Sequence, residues 1–389
     1  MHKILGDRLG LIRVAALVLA TALSGWAHGM SAQTTNEISW ASAVVVDDPA
    51  NYDDAGLDAR KIHPGKFGDD YPRAVELRDG SWLLVFTTYQ QGNNGYISDP
   101  KGGTVLAIMR SEDHCRTWKK ISIISDPGRD MDNGEMIELP DGDILLATRS
   151  VRWQESYRLP VYRSSDSGRT WTKASDIDSN EGIPGALGNP DKGVYEPHFY
   201  QLSPTLLAVM YSTERHVTET PSYSQTVAEK LSTDGGHTWG KEIWVASGSA
   251  ADRPGMPVWT KMKNGKYLVV YEVGGPKNYP IFCKVSADGI HWSAGLGDEV
   301  PIEQGAPYLL GLSDGRLVLT SNNHRVVMSK DLGRTWKAVD DAFPGGPEEA
   351  FFSSLYQIDS DHIAIMTGKL RPGGGRGLVI RIGSLREGK

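Results

Sequence analysis

The chain has 389 residues, with 41 Lys and Arg against 48 Asp and Glu, a net charge of −7 and two cysteines. Acidic and basic residues are mixed along it with no long basic run, which argues against nucleic acid and against a polyanion-binding surface. The length exceeds what one simple core usually supports, so the chain is either two domains or a repeat that grows sideways.

The N-terminus carries Lys3, Arg8 and Arg13, then an apolar run over residues 14–23, then small residues through Ala27 and Ala32. Charge, apolar run and small residues in that order predict a secretory signal peptide over residues 1–32, cleaved after Ala27 or Ala32. The run is too short for a membrane span. Export to a periplasm, a cell surface or the medium is expected, leaving residues 33–389 as one domain. Cys115 and Cys283 stand far apart in the chain, so no disulfide framework is expected, and two thiols exclude a thiolate metal site. No His-rich ligand spacing appears, so neither metal nor cofactor is expected; an oxygen-ligated structural cation stays open.

Residues 38–46 read as a short strand. After a Gly/Asp/Pro-rich loop a phrase begins that recurs six times: a short apolar segment, a tight turn, and a second apolar segment. Its copies are residues 74–86, 136–147, 198–210, 258–271, 308–320 and 353–366, with Asp79-Gly80, Asp141-Gly142, Asn264-Gly265 and Asp314-Gly315 at four of the turns. Asp-Gly and Asn-Gly between β-rich runs are signatures of two-residue hairpin turns.

Between hairpins a second phrase recurs. Residues 164–171, 232–239 and 329–336 read S-x-D-x-G-x-T-W in full. Residues 111–118 keep all but the glycine, and 286–292 is one residue short. Asp and Ser side chains bond nearby backbone N–H groups, Gly takes positive φ, and Trp packs the turn down. Six hairpins, five of them followed by a strand, this turn and another strand, predict an all-β, six-bladed β-propeller with four strands per blade. Pairing residues 38–46 with 377–382 would close the ring. The repeated turn resembles the Asp box of the sialidase-type propellers.

Strand direction then locates a site. The Asp-Gly turns and the Trp turns share one face, so the start of each inner strand and the end of its partner lie on the other. Those positions concentrate Arg, Glu and Tyr. Glu196 and Glu272 occupy a start and an end in the third and fourth units, and two carboxylates across a pocket are what glycoside hydrolysis requires. Arg73, Arg149, Arg253, Tyr308, Trp153 and Asn323 are the candidate substrate contacts: guanidinium groups fix ligand oxygens, and aromatics stack on sugar rings.

Tyr195-Glu196-Pro197, then Arg253-Pro254-Gly255-Met256-Pro257-Val258 and the run 266–272 ending in Tyr271-Glu272, resemble glycoside hydrolase family 93. The openings Tyr71-Pro72-Arg73 and Gly305-Ala306-Pro307-Tyr308 are similar to that family's blade openings. The resemblance covers residues 60–385 and implies a retaining exo-α-1,5-L-arabinanase, with Glu196 as nucleophile and Glu272 as general acid/base. Retention would require carboxyl groups roughly 5–5.5 Å apart. The loops around 153–158 and 180–192 are distinctive and would shape the sugar subsites. The expected partner is an oligo- or polysaccharide, and the expected state a monomer.

An exo-α-sialidase is the first alternative: Arg73, Arg149, Arg253 and Arg371 could supply its three arginines and Tyr308 its phenol. Against it, a sialidase opens R-I-P, whereas Pro72 precedes Arg73 and Ala74-Val75 follow it, and no Asp fills the acid/base position. A non-catalytic glycan-binding propeller is the second alternative.

Overall fold

The computed structural model describes residues 37–47, 69–89, 104–152, 154–183, 193–322, 325–344, 350–370 and 376–386. Two short strands come first, β1 (Ile38–Trp40) and β2 (Val44–Asp47). Blade one then holds β3 (Asp70–Glu76), β4 (Trp82–Tyr89), β5 (Thr104–Ser111) and β6 (Lys119–Ile124). Blade two holds β7 (Asp130–Glu138), β8 (Ile144–Arg152), β9 (Ser156–Ser164) and β10 (Thr172–Glu181). Blade three is β11 (Val194–Ser203), β12 (Leu206–Thr213), β13 (Thr226–Ser232) and β14 (Ile243–Ala246). Blade four is β15 (Arg253–Lys261), β16 (Tyr267–Gly274), β17 (Pro280–Ser286) and β18 (Asp298–Gln304). Blade five is β19 (Tyr308–Gly311), β20 (Leu317–Thr320), β21 (Val326–Ser329) and β22 (Lys337–Ala338). Blade six is β23 (Phe351–Gln357), β24 (His362–Leu370) and β25 (Arg376–Leu385).

In each blade consecutive strands pair antiparallel, and β1 and β2 both pair with β25, so the two ends of the chain share the sixth sheet. The first strands touch in sequence, β3 to β7, β11, β15, β19, β23 and back to β3, which closes a six-bladed β-propeller. Closure is as the sequence predicts: Ile38 lies opposite Leu385 and Val44 opposite Ile380.

Period-2 alternation explains how each blade holds both neighbours. In β4, Leu83, Leu84, Val85 and Phe86 are all fully buried. Leu84 and Phe86 pack with Ala364 and Met366 of blade six, whereas Leu83 and Val85 pack with Met136 and Leu146 of blade two. One strand therefore feeds two interfaces, which is why its sequence is continuously apolar.

The hairpin turns differ from the two-residue form that Asp-Gly suggests. Gly80 N donates to Leu77 O at 2.8 Å, and Leu77 N donates to Ser81 O at 2.8 Å. Gly80 has φ +81°, and Asp79 is not among the residues with positive φ. This is a type I turn followed by a left-handed glycine, the longer hairpin connection. The aspartate supplies a side-chain acceptor: Asp79 Oδ1 takes Ser81 N at 2.9 Å, as Asp141 takes Asp143 N, Asn264 takes Lys266 N and Asp314 takes Arg316 N.

Each Trp turn fastens its blade to the preceding one. Asp166 Oδ1 accepts Ser164 Oγ at 2.8 Å and Thr170 N at 2.9 Å, and its Oδ2 accepts Thr170 Oγ1 at 2.6 Å. Gly168 has φ +84° and presses on Leu83 of blade one, where an added Cβ would come within 2.9 Å of that side chain. Ser122 of blade one donates to Gly168 O at 2.6 Å and accepts Trp171 Nε1 at 3.2 Å. Ser175 of blade two does the same for Gly236 and Trp239 of blade three.

Candidate active site

All six innermost strands open with a residue in the left-handed region: Tyr71 (φ +54°), Asn133 (+54°), Glu196 (+59°), Met256 (+54°), Ala306 (+43°) and Phe352 (+51°). In five of them a register shift marks the bulge, for example between Tyr195 and His198 and between Gly255 and Val258. Pro follows four of the six, and a proline at a bulge gives up no ladder bond. Tyr71, Met256 and Ala306, from three blades, meet with Phe352 from a fourth.

Glu196 is the bulge residue of blade three, and its Oε2 accepts Ser212 Oγ at 2.7 Å and Met256 N at 2.7 Å. Met256 is the bulge residue of blade four, so one blade's strained backbone supplies the donor for the next blade's carboxylate. The arrangement repeats: Glu272, at the end of β16, accepts Ala306 N, the bulge N–H of blade five, at 2.5 Å. Phe352 N of blade six goes likewise to Asn322 Oδ1 at 3.1 Å.

Gly255 brings the two glutamates together. It lies opposite Glu272 in the β15–β16 ladder. A Cβ on it would stand 2.5 Å from Gln225 Nε2 and 3.3 Å from Glu196 Oε2, so a larger residue would push on the Gln225 amide and crowd the Glu196 carboxylate. The two carboxyls differ in environment. Burial raises Glu196 above its ordinary value, while the Ser212 hydroxyl, the Met256 N–H and the Arg149 charge pull it back down. Glu272 is pushed up to about 7 by burial and by the charge of Glu196, with only the Ala306 N–H opposing. Glu196 thus has more groups that favour its carboxylate form than Glu272 has, a division of surroundings that suits different roles.

Arg149 lies beside Glu196, its guanidinium 5.5 Å from the Tyr195 ring and its Nη2 2.7 Å from Asp132 Oδ2. Arg253 pairs with Glu214 and donates to Gln225 Oε1 at 2.8 Å. Glu214 is fully buried and also accepts Gly193 N at 2.7 Å and Tyr195 OH at 2.9 Å, which anchors the start of β11 just before Glu196.

Arg73 and Tyr308 are brought together one layer deeper. Arg73 is 2 % exposed, with its guanidinium 3.9 Å from the Tyr71 ring and 4.9 Å from that of Tyr308. Tyr308 OH is 3.0 Å from Tyr356 OH. Trp153 and Asn323 lie outside the described residues, as does Arg371.

Strand direction put Asp132, Glu135 and Glu214 among the polar starts and ends of the site face without giving them a role, and Asp70 and Arg376 were not singled out. Asp132 Oδ1 accepts Asn133 N at 2.7 Å and Thr87 Oγ1 at 2.6 Å. Asp70 accepts Tyr71 N at 3.0 Å and pairs with Arg376. An Asp immediately before the bulge, in blades one and two, was the available signal. Glu135 sits 3.8 Å from Arg73 Nε and from His198 Nε2, and burial pushes it up to about 8. Among the described residues no group of three or more His, Cys, Asp or Glu is placed to hold a metal.

No family model and no curated protein matches the sequence. Solved structures do match in fold. The family 93 α-L-arabinofuranosidase of Fusarium graminearum, in complex with arabinobiose, superposes with a TM-score of 0.71 at 24 % identity, over 88 % of this chain and 97 % of that one. The Penicillium chrysogenum α-L-arabinanase, also with arabinobiose, gives 0.72 at 22 % identity over 90 % and 99 %. The NanB sialidase of Streptococcus pneumoniae gives 0.56 at 11 % identity over 83 % and 70 %. The chain thus has the six-bladed fold that arabinan-active glycosidases and sialidases share.

Proposed function

We propose that this protein is an exported glycoside hydrolase that acts from a chain end on α-1,5-linked L-arabinan or a related plant polysaccharide, with retention of configuration. The observation that carries this reading is the Glu196–Glu272 pair: two carboxyls from adjacent blades, gathered at Gly255–Met256, one accepting two hydrogen bonds on its carboxylate and the other raised to about 7. The fold neighbours that bind arabinobiose support the sugar. The charged, apolar and small-residue leader supports export.

In the first step the protonated Glu272 gives its proton to the leaving glycosidic oxygen while Glu196 attacks the anomeric carbon, forming a glycosyl ester. Both hydrogen bonds to Glu196 land on Oε2, so Oε1 is the oxygen left to attack. In the second step Glu272, now a carboxylate, takes a proton from water. That water displaces Glu196 and restores both groups. The Ser212 hydroxyl and Met256 N–H favour the carboxylate form of Glu196, which helps it leave.

Release of reducing sugar from linear arabinan, measured beside a sialoside and an aryl arabinofuranoside, tests the reading. Activity is expected on the two arabinosides, and Glu196→Gln should lower it by at least about 10³-fold, the loss of a whole covalent route. Activity on the sialoside alone would overturn the proposal.

A further inference from the structure

Three guanidinium groups near blade openings are each answered by a carboxylate. Arg149 pairs with Asp132 at 2.7 Å, Arg253 with Glu214, and Arg376 with Asp70. The Asp132 pair is the best defined. Its Oδ1 is fixed by Asn133 N at 2.7 Å and by Thr87 Oγ1 at 2.6 Å, donors from two different blades, so the aspartate cannot swing away without leaving both unmet. Arg149 and Asp132 each act electrostatically on Glu196, which places the pair beside the reacting carboxylate.

A site that binds an anionic sugar needs a guanidinium whose fork is free to take two carboxylate oxygens. Here one arm of the Arg149 fork, Nη2, is held by Asp132, whose charge offsets that of the guanidinium, and the negative charge of Glu196 lies next to it. A sugar hydroxyl loses nothing by this. It donates to a carboxylate and accepts from a guanidinium, and it finds both in one ion pair.

We infer that Asp132 is a specificity-determining residue: as the internal counter-ion of Arg149 it makes the site accept uncharged sugar residues and reject sugars that carry a carboxylate. Asp70 and Glu214 do the same for Arg376 and Arg253. The inference rests on the glycosidase reading only in taking the ligand to be a sugar.

Binding tests it without reference to turnover. Calorimetric titration of the full chain with D-glucuronate should show no binding. Asp132→Asn keeps the shape and the acceptor but removes the charge, and should gain glucuronate binding by at least tenfold, with the gain weakening as salt is raised. The double variant Asp132→Asn, Arg149→Gln should lose that gain, which a merely structural role for Asp132 would not produce. Asp70→Asn, which frees Arg376, is the second variant should the first fail to fold. If both fail, the wild-type comparison decides.

Wild-type protein that binds glucuronate as tightly as L-arabinose overturns the inference. So does a folded Asp132→Asn that gains nothing. Failure to cleave arabinan would instead sink the proposed hydrolysis and leave the charge discrimination readable.

Discussion

Glu196 and Glu272 are one residue type in two surroundings, and the surroundings decide which can carry a proton at neutral pH. Burial raises both; two donors and a nearby guanidinium offset part of that rise at Glu196, whereas Glu272 has one donor and faces the charge of Glu196. A general acid must be protonated, so kcat/KM should fall as pH rises through about 7, where Glu272 loses its proton. The acid limb, where Glu196 gains one, should lie above the ordinary carboxylate value. A rate profile on linear arabinan checks this; a plateau continuing well above pH 8 would contradict the role of Glu272. With an aryl arabinofuranoside whose leaving group needs no proton, Glu272→Gln should retain the first step and lose the alkaline limb. Both glutamates were legible in the sequence because strand direction brings strand starts and ends to one face. The left-handed ring was not, because Tyr, Asn, Glu, Met, Ala and Phe share no preference for positive φ; only the bulge geometry asks it of them. The role of Asp132 was hidden for the same reason, since its partners are a bulge N–H and a residue of another blade.

At the scale of the element, the S-x-D-x-G-x-T-W turn is an inter-blade fastener rather than a ligand contact. Asp166 gathers side-chain and backbone donors within one turn, and Trp171 and Gly168 are tied to Ser122 of the preceding blade. These bonds hold the Asp166 carboxyl at about 2, below its usual range. Removing the acceptor in Asp166→Ala should cost about 0.5–1.5 kcal/mol, the net worth of hydrogen bonds whose exposed donors can turn to water. Denaturant unfolding measures that loss, and kcat/KM of the folded variant should be unchanged, because the turn lies on the face away from Glu196. The sequence pattern announces these turns since their chemistry is local: every group but the serine of the preceding blade lies within eight residues. In the damaged copy Cys115 takes the glycine's place with φ +63°, so the geometry outlasts the loss of the residue that best suits it.

For the whole molecule, a ring of blades has no centre of its own to hold it together, and its stability depends on closure. β1 and β2 close it by pairing with β25, and Ile38, 1 % exposed, packs into the cluster that joins blades four, five and six. Ile38→Ala should therefore cost about 2–5 kcal/mol, a core loss, although Ile38 belongs to a three-residue strand close to the start of the described chain. Thermal unfolding of that variant beside an exposed-site control such as Val45→Ala, 62 % exposed, checks it; equal shifts would mean that closure contributes little. Blade count and closure could be read from the sequence because hairpins and Trp turns repeat at propeller spacing. The charge pairing of Arg253 and Arg376 could not, because their partners Glu214 and Asp70 lie in neighbouring blades and are chosen by the ring, whereas Arg149 meets Asp132 across its own hairpin.

The central claim is that Glu196 forms a bond to the sugar and Glu272 serves it with a proton. Incubating Glu272→Gln with an activated aryl arabinofuranoside should form the glycosyl ester and slow its hydrolysis, because no base remains to activate water. Peptide mass mapping should then find one dehydrated pentose on the peptide that contains Glu196, and Glu196→Gln should abolish the label. A pentose attached to any other residue, or full activity in Glu196→Gln, would contradict the account.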